Sequence, residues 1–224
     1  MNVLLMRRRS VVEKKSKYLM TATSNPEMFA ICLANGWCSS EGMTYEDAAA
    51  VTSLGHNFCY NNTQVTHFDE FEYFTSVTQL TANSFRGATN LKRIVFPDSL
   101  VRIDGYSFYT CGIEEYNTKN VNTISVGCFQ ICDNVKKITI GRTLSSNTYR
   151  PLSSKVLEEI VVDSENGYYE TDGKVLIYKL TDALVIATNT VRDIPEGVKV
   201  ILDSSIREIN IDTLVLPSTV NSIG

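Results

Sequence analysis

Apolar residues recur along this chain with a period of 22 residues. Segments that begin at residues 91, 113, 135 and 157 share one pattern, with apolar side chains at the first and fourth positions and charged side chains between them. A repeat of this length is typical of stacked units, each of which buries its apolar face against its neighbours. The pattern therefore predicts a repeat solenoid.

The repeat unit predicts a short strand followed by a turn and a buried aromatic ring. Alternating polarity at residues 94–96 indicates a strand with one buried side, and Pro97 ends it because proline cannot donate to a ladder. Phe85, Phe108 and Phe129 occupy equivalent positions, so we expect them to stack as a column inside the coil. The predicted fold is mainly β with short helices.

Helix signals precede the repeats. Pro26, with Asn25 as its cap, begins one short helix, and a capping box of Thr44 and Asp47 begins another. Helices at this place suit a cap that covers the apolar end of a solenoid.

The pattern divides the chain into three parts. Residues 1–20 are a basic, flexible arm, 21–64 a helical N-terminal cap, and 65–224 the solenoid. Within the solenoid, residues 163–190 depart from the repeat and indicate an inserted β-hairpin on a two-residue turn at Asp172 and Gly173. The repeat then resumes, and the last coil is incomplete. We expect either a longer natural protein or a second chain that covers this end.

The net charge is unevenly distributed along the chain, and the hydropathy shows neither an export signal nor a membrane span. The formal net charge is -4, of which the arm carries +5, leaving -9 for residues 21–224. The apolar residues 3–6 precede the basic cluster and are too few for an export signal, and no run reaches the length of a membrane span. The sequence therefore does not assign a cellular location.

Two columns of charge are predicted on one face of the stack. In a parallel stack, residues of neighbouring repeats lie about 4.8 Å apart along the sheet. The columns are Lys92, Glu114, Lys136 and Glu158, and beside them Arg93, Glu115, Lys137 and Glu159. Both alternate in sign, which favours a neutralised face that fixes coil register over a charged ligand site. The face offers no net positive stripe, which disfavours nucleic acid.

Candidate chemistry is sparse. The six cysteines form no CxxC pair, and only His56 and His67 could join them, so we expect no zinc site. Cys111 and Cys132 occupy a slot that holds Ala88 one repeat earlier, which favours free buried thiols over a stacked disulfide. No phosphate loop or hydrolase motif occurs, and we predict neither an enzyme nor a cofactor. An enzyme would require a pocket between the hairpin and the coils.

Residues 91–111 and 194–205, with the insert at 167–187, resemble the BspA-type leucine-rich repeats. These repeats are common in surface proteins of gut and oral Bacteroidales and in some protozoan and phage proteins. The resemblance implies a leucine-rich-repeat-like right-handed coil with a role in recognition or adhesion and no catalytic residues. Some relatives carry a calcium-type acidic loop in the leader, but residues 37–42 hold one acidic residue, so we expect no calcium site. The basic start without an export signal is more similar to phage virion or mobile-element proteins.

The sequence thus predicts a non-enzymatic recognition or adhesion module, presented on a phage particle or a bacterial surface. Its partner would be a protein or glycan on a host or cell surface. The candidate contact residues are Arg93, Val95, Glu115, Asn117, Lys137, Thr139, Glu159 and Val161 on the strands, and Tyr168 and Tyr169 at the hairpin tip. The alternative is that both tyrosines pack on the coil. The alternative function is a structural component of a virion or tail, docked to other copies or chains through its C-terminal end and basic arm.

Overall fold

The computed structural model describes residues 16–145, 154–206 and 212–224, so most of the predicted basic arm lies outside the described residues. Two α-helices, α1 (Pro26–Ala34) and α2 (Tyr45–Ala50), precede a 3₁₀ helix at Asp69–Tyr73. Among these described residues, no helix is long and apolar enough to cross a membrane.

The described strands are short, with two to five residues each. They are β1 (His67–Phe68), β2 (Gln79–Leu80), β3 (Arg93–Ile94), β4 (Arg102–Ile103), β5 (Glu115–Asn117), β6 (Thr123–Ile124), β7 (Lys137–Ile140), β8 (Glu159–Val162), β9 (Tyr169–Thr171), β10 (Val175–Tyr178), β11 (Ala183–Ala187), β12 (Val200–Ile201) and β13 (Ser222–Ile223).

Successive coils place their strands side by side in parallel sheets. One sheet has the order β5-β7-β8 and another the order β2-β4-β6, while β1 pairs with β3. Every pairing within these sheets is parallel. The predicted solenoid is confirmed, with about seven turns. Strand β3 ends at Ile94, ahead of Val95 and Phe96, which the alternation had placed within the strand.

The predicted aromatic column runs through the core. The ring centroids of Phe85 and Phe108 are 5.2 Å apart, and those of Phe108 and Phe129 are 5.1 Å apart. Tyr116 extends the stack at 4.0 Å from Phe129. Beside the column, the hydroxyl of the buried Ser107 donates to the carbonyls of Asp104 at 2.6 Å and of Thr81, in the preceding coil, at 3.0 Å. The Ser107 hydroxyl thus joins neighbouring turns and keeps its hydrogen bonds on burial.

The N-terminal helices pack on the first coil as one core. The capping box at α2 is confirmed, because the Thr44 hydroxyl accepts from the Asp47 N–H and the Asp47 carboxylate accepts from the Thr44 N–H. Asn25 precedes α1 as predicted, but its side chain does not cap the helix. Its amide instead donates to the His67 carbonyl and to the Glu70 carboxylate, at 3.3 and 3.0 Å. Asn25 therefore ties the helical region to the first coil.

The hairpin is present, with a longer turn than the sequence indicated. Strands β9 and β10 are antiparallel, and the first paired residues are Thr171 and Leu176, so four residues connect them. The Asp172 carboxylate accepts from the N–H groups of Lys174 and Val175, at 2.8 and 3.0 Å. The predicted two-residue turn is wrong because this side chain organises the wider loop.

The insert is also a layer of the stack. Strand β11 pairs antiparallel with β10 and parallel with β12, which in turn pairs parallel with β13. All five residues of β11 are buried. Val185 and Ile186 belong to the core of the preceding coils, whereas Leu184 and Ala187 belong to the core of the following coils. The hairpin therefore joins two cores.

Candidate interaction surface

The first charge column follows the backbone ladder of the coils. The N–H of Glu114 donates to the Lys92 carbonyl at 3.0 Å, and the N–H groups of Lys136 and Glu158 donate to the preceding members at 2.8 Å. The Lys92 ammonium and the Glu114 carboxylate are 3.8 Å apart. These residues are lateral neighbours in successive coils, as the 22-residue spacing predicts.

In the second column, three of the four members form the predicted series of oppositely charged neighbours. Glu115 lies opposite Lys137, which lies opposite Glu159, and the Lys137 ammonium is 2.9 Å from the Glu159 carboxylate. Arg93 departs from the prediction because its guanidinium pairs with Asp69 through two nitrogens. This hydrogen bonding, together with the charge of Asp69, raises the pKa of Arg93.

Asp69 was not among the predicted site residues. It lies 24 residues before Arg93, in the 3₁₀ helix, and so falls outside the 22-residue alignment. Its carboxylate replaces Glu115 as the direct partner of Arg93. The only sequence signal for the pairing of Asp69 with Arg93 is the presence of an acidic residue near the equivalent position of the preceding coil.

A shallow depression of about 340 Å³ lies between the charge columns. Its lining residues are Lys92, Arg93, Glu114, Glu115, Lys136 and Lys137. Four cationic and two anionic side chains thus surround an open surface. Lys92 pairs with Glu114 within this lining, whereas Arg93 and Lys137 pair with carboxylates beside it. The depression can orient a polar partner, while its paired charges contribute little net attraction.

A strip of smaller, uncharged side chains runs beside the charges. Asn117, Thr139 and Val161 lie opposite one another on β5, β7 and β8. Asn117 is exposed, and Thr139, Val161 and Val95 are half-buried. We call Asn117, Thr139 and Val161 the strand strip. It presents side chains at the inter-strand spacing of about 4.8 Å.

The two candidate tyrosines have different environments. Tyr168 is 39% exposed, whereas Tyr169 is 1% exposed and packs against Tyr178 with ring centroids 5.3 Å apart. Burial raises the pKa of Tyr169. Tyr169 begins β9 and Tyr168 directly precedes it, so both lie away from the turn. The prediction of two contact tyrosines at the hairpin tip is wrong for Tyr169, which packs on the coil.

The cysteines are structural. All six are free thiols, and five of them are buried. Burial raises the pKa of Cys111 and of Cys128 to about 12, so both remain protonated at neutral pH. Among the described residues, no group of three or more His, Cys, Asp or Glu side chains could hold a metal ion.

The repeat geometry agrees with a known family. A family profile described as the BspA-type leucine-rich repeat region matches six copies over residues 52–172. The chain belongs to this family. No curated protein is significantly similar to the chain in sequence.

Three solved structures are similar to this chain, and the first of them shares its leucine-rich repeat fold. A leucine-rich repeat protein from Eubacterium ventriosum has a TM-score of 0.60 and 18% identity, over 79% of this chain and 48% of that one. The pneumococcal vaccine antigen PcpA has a TM-score of 0.46 and 19% identity, over 67% of this chain and 45% of that one. A leucine-rich cell surface protein from Faecalibacterium prausnitzii has a TM-score of 0.40 and 20% identity, over 78% and 61%. The chain thus spans between 45% and 61% of the length of these structures.

Proposed function

We propose that this chain is a non-enzymatic recognition module that binds a protein or glycan on a host or cell surface. The observation that carries the proposal is the strand strip, which lies in register on three parallel strands beside alternating charges. Leucine-rich repeat proteins of this family generally serve as interaction or surface modules. The module is presented on a phage particle or on a bacterial surface.

The rigidity of the sheet supports this role. Parallel strands hold Asn117, Thr139 and Val161 over a continuous buried core. Little side-chain or loop freedom is therefore lost on binding. The flanking charges, typified by Lys137 and Glu159, largely neutralise each other. They therefore contribute orientation and selectivity more than affinity.

An array experiment tests the proposal. Labelled full-length chain is applied to arrays of purified extracellular proteins and glycans, beside the variants Thr139→Arg and Thr123→Arg. The first variant places a long side chain on the strand strip, and the second places the same side chain on β6 in the other sheet. We expect a ligand whose binding is at least about tenfold weaker for Thr139→Arg and unchanged for Thr123→Arg. No ligand on either array, or equal loss in both variants with unchanged melting temperature, contradicts the proposal.

A second function is favoured by the surface of the last coil. Val215, Leu216 and Ile223 are exposed apolar residues there, and in the described chain β13 pairs on one side, with β12. An exposed apolar strand edge suits pairing with another chain. We therefore propose, as the alternative, a structural component that assembles through this end. Light scattering tests it: the alternative predicts a concentration-dependent oligomer that Ile223→Lys disrupts, and a monomer at all concentrations contradicts it.

A further inference from the structure

An arginine on the turn side of the solenoid lies among three tyrosine rings. The guanidinium carbon of Arg86 is 5.0 Å from the ring centroid of Tyr109, 5.7 Å from that of Tyr106 and 5.9 Å from that of Tyr60. The N–H of Asn61 donates to the Arg86 carbonyl, and that of Gly87 donates to the Tyr109 carbonyl. Three successive turns therefore place Tyr60, Arg86 and Tyr109 side by side.

The Arg86 guanidinium has N–H groups that can donate to a further acceptor. The hydrogen bond described for its side chain joins one terminal nitrogen to the Asn83 amide oxygen at 3.3 Å. Within the described residues it forms no ion pair, whereas Arg93, Arg102 and Arg142 each pair with a carboxylate. A guanidinium carries five N–H donors in a planar fork that matches a carboxylate. Arg86 is half-buried and thus presents an anion-binding group between aromatic walls.

Tyr106 is held in a backbone conformation that disfavours its side chain. Its φ is 59°, and the equivalent turn positions, two residues before Cys59, Phe85 and Phe129, hold Asn57, Asn83 and Gly127 at φ of 58°, 61° and 75°. Asn and Gly adopt this left-handed region readily, whereas tyrosine does so at a cost. Strained residues of this kind cluster at binding and catalytic sites.

The ring of Tyr106 nevertheless stays accessible. It lies over Gly127 in the next turn, where an added Cβ would be 2.6 Å from the ring. Even so, Tyr106 is 45% exposed. The stack therefore supports one face of the ring and leaves the remainder open to a partner.

Apolar side chains continue this surface into the next turn. Val126 and Ile131 are both exposed, and Ile131 also has a positive φ, at 57°. A β-branched residue in that region is unusual. The surface thus combines one unpaired guanidinium, aromatic rings and aliphatic groups. We call it the Arg86 surface, made of Tyr60, Arg86, Tyr106, Tyr109, Val126 and Ile131.

We propose that the Arg86 surface binds an acidic segment of a partner protein, with one carboxylate on Arg86 and an adjacent apolar side chain on the tyrosines. Tyrosine and arginine are among the residues that dominate protein–protein binding energy. Val126 and Ile131 favour a protein over an acidic glycan, because only the protein offers apolar side chains to bury there. The inference rests on the proposed recognition function and assigns it a second face with a defined partner chemistry.

Selection of displayed peptides on the full-length chain tests this inference. Random peptides are selected for binding, and a selected acidic peptide is then compared with its twin in which Asp or Glu is replaced by Asn or Gln. We expect enrichment of Asp or Glu next to an apolar residue, and at least about tenfold weaker binding both for the amide twin and for Arg86→Gln. Arg142→Gln is the matched control, because that arginine already pairs with Glu165, and it should leave the affinity unchanged.

A second variant separates loss of peptide binding from loss of folding. Tyr106→Asn places at this turn a residue that suits its backbone, so loss of the peptide cannot be attributed to added strain. We expect at least about fivefold weaker peptide binding for Tyr106→Asn, with an unchanged circular dichroism spectrum. Unchanged affinity for the acidic peptide in both Arg86→Gln and Tyr106→Asn overturns the inference.

The remaining outcomes separate this inference from the proposed function. Selected peptides without acidic residues, or binding of uronate- or sialate-bearing oligosaccharides in place of peptides, overturn the assignment to an acidic protein segment. An acidic peptide that is retained by Thr139→Arg and lost in Arg86→Gln supports it, even where the arrays yield no ligand for the strand strip. A peptide lost only in Thr139→Arg overturns it and leaves the proposed function standing.

Discussion

The rings of Phe108 and Phe129 are nearly parallel, with centroids 5.1 Å apart and an interplanar angle of 2°. Phe85 stacks on the other side of Phe108 at 5.2 Å and 5°. Each ring belongs to a different coil, so the column links the repeats along the solenoid axis. Stacked rings of this kind contribute about 0.5–1.5 kcal/mol beyond their buried area.

Phe108→Ala removes the middle of this column. We expect the free energy of unfolding to fall by about 3–5 kcal/mol, because a large cavity forms and the ring contacts with Phe85, Phe96 and Phe129 are lost. Urea denaturation followed by circular dichroism measures the change. Leu180→Ala is the control, since Leu180 is 68% exposed and should change the stability by less than about 0.5 kcal/mol. A loss below about 1 kcal/mol for Phe108→Ala would show that the column does not hold the coils together.

Lys137→Glu places a third carboxylate between Glu115 and Glu159. We expect a loss of stability of about 1 kcal/mol at low salt, because like charges then lie opposite each other on the sheet. The loss should shrink in 0.5 M NaCl, where exposed charges are screened. Lys137→Gln is the control, which removes the attraction without adding repulsion and should cost less. Equal losses for the two variants, independent of salt, would contradict the charge register.

Gly141 has no room for a side chain. An added Cβ would be 1.8 Å from the carbonyl oxygen of Lys119, and the Gly141 N–H also donates to the buried Thr118 hydroxyl at 2.7 Å. We expect Gly141→Ala to cost about 3 kcal/mol or more, since the backbone of the neighbouring coil has to move. Thermal denaturation checks this against Gly167→Ala, where no atom lies within 4 Å of the new Cβ. Similar melting temperatures for the two variants would be inconsistent with the coil spacing.

The buried thiols make stability depend on pH in the alkaline range. The pKa of Cys111 and of Cys128 is raised from 9.0 to about 12 in the folded chain, so between these values the folded state holds protons that the unfolded state has lost. Stability should therefore be fully present below about pH 9 and fall as the pH rises, by up to about 1.4 kcal/mol per pH unit for each thiol.

Urea denaturation at pH 8 and pH 10.5 measures this dependence. Cys111→Ala is the control variant, because Ala88 fills the equivalent slot one repeat earlier, and its stability should fall less steeply than that of the wild type. The same alkaline slope in both proteins would show that the Cys111 thiol does not remain protonated in the folded state.

The stack could be predicted because its chemistry repeats. Phe85, Phe108 and Phe129 stand at equivalent positions, and a parallel stack brings equivalent positions into contact. Asp69 could not be found in this way, because it lies in a 3₁₀ helix outside the repeat alignment. Its pairing with Arg93 depends on how the first coil meets the helical region.

The hairpin and the turn side show other limits of sequence reasoning. Alternating polarity located strands β9 and β10, but the burial of Tyr169 follows from the insert's place between two cores. The unusual backbone conformations of Tyr106 and Ile131 have no signal in their residue types, which ordinarily avoid positive φ. The Arg86 surface therefore required the structure.

Photo-crosslinking tests the recognition function most directly, because it reports where the ligand lies. A benzophenone amino acid is placed at Thr139 on β7 or, as the matched control, at Thr123 on β6, and each protein is irradiated with the array-derived ligand. Recognition through the strand strip predicts a crosslink to the ligand from position 139 that is several times stronger than from position 123. Equal or stronger crosslinking from position 123, or none from either position, would contradict it.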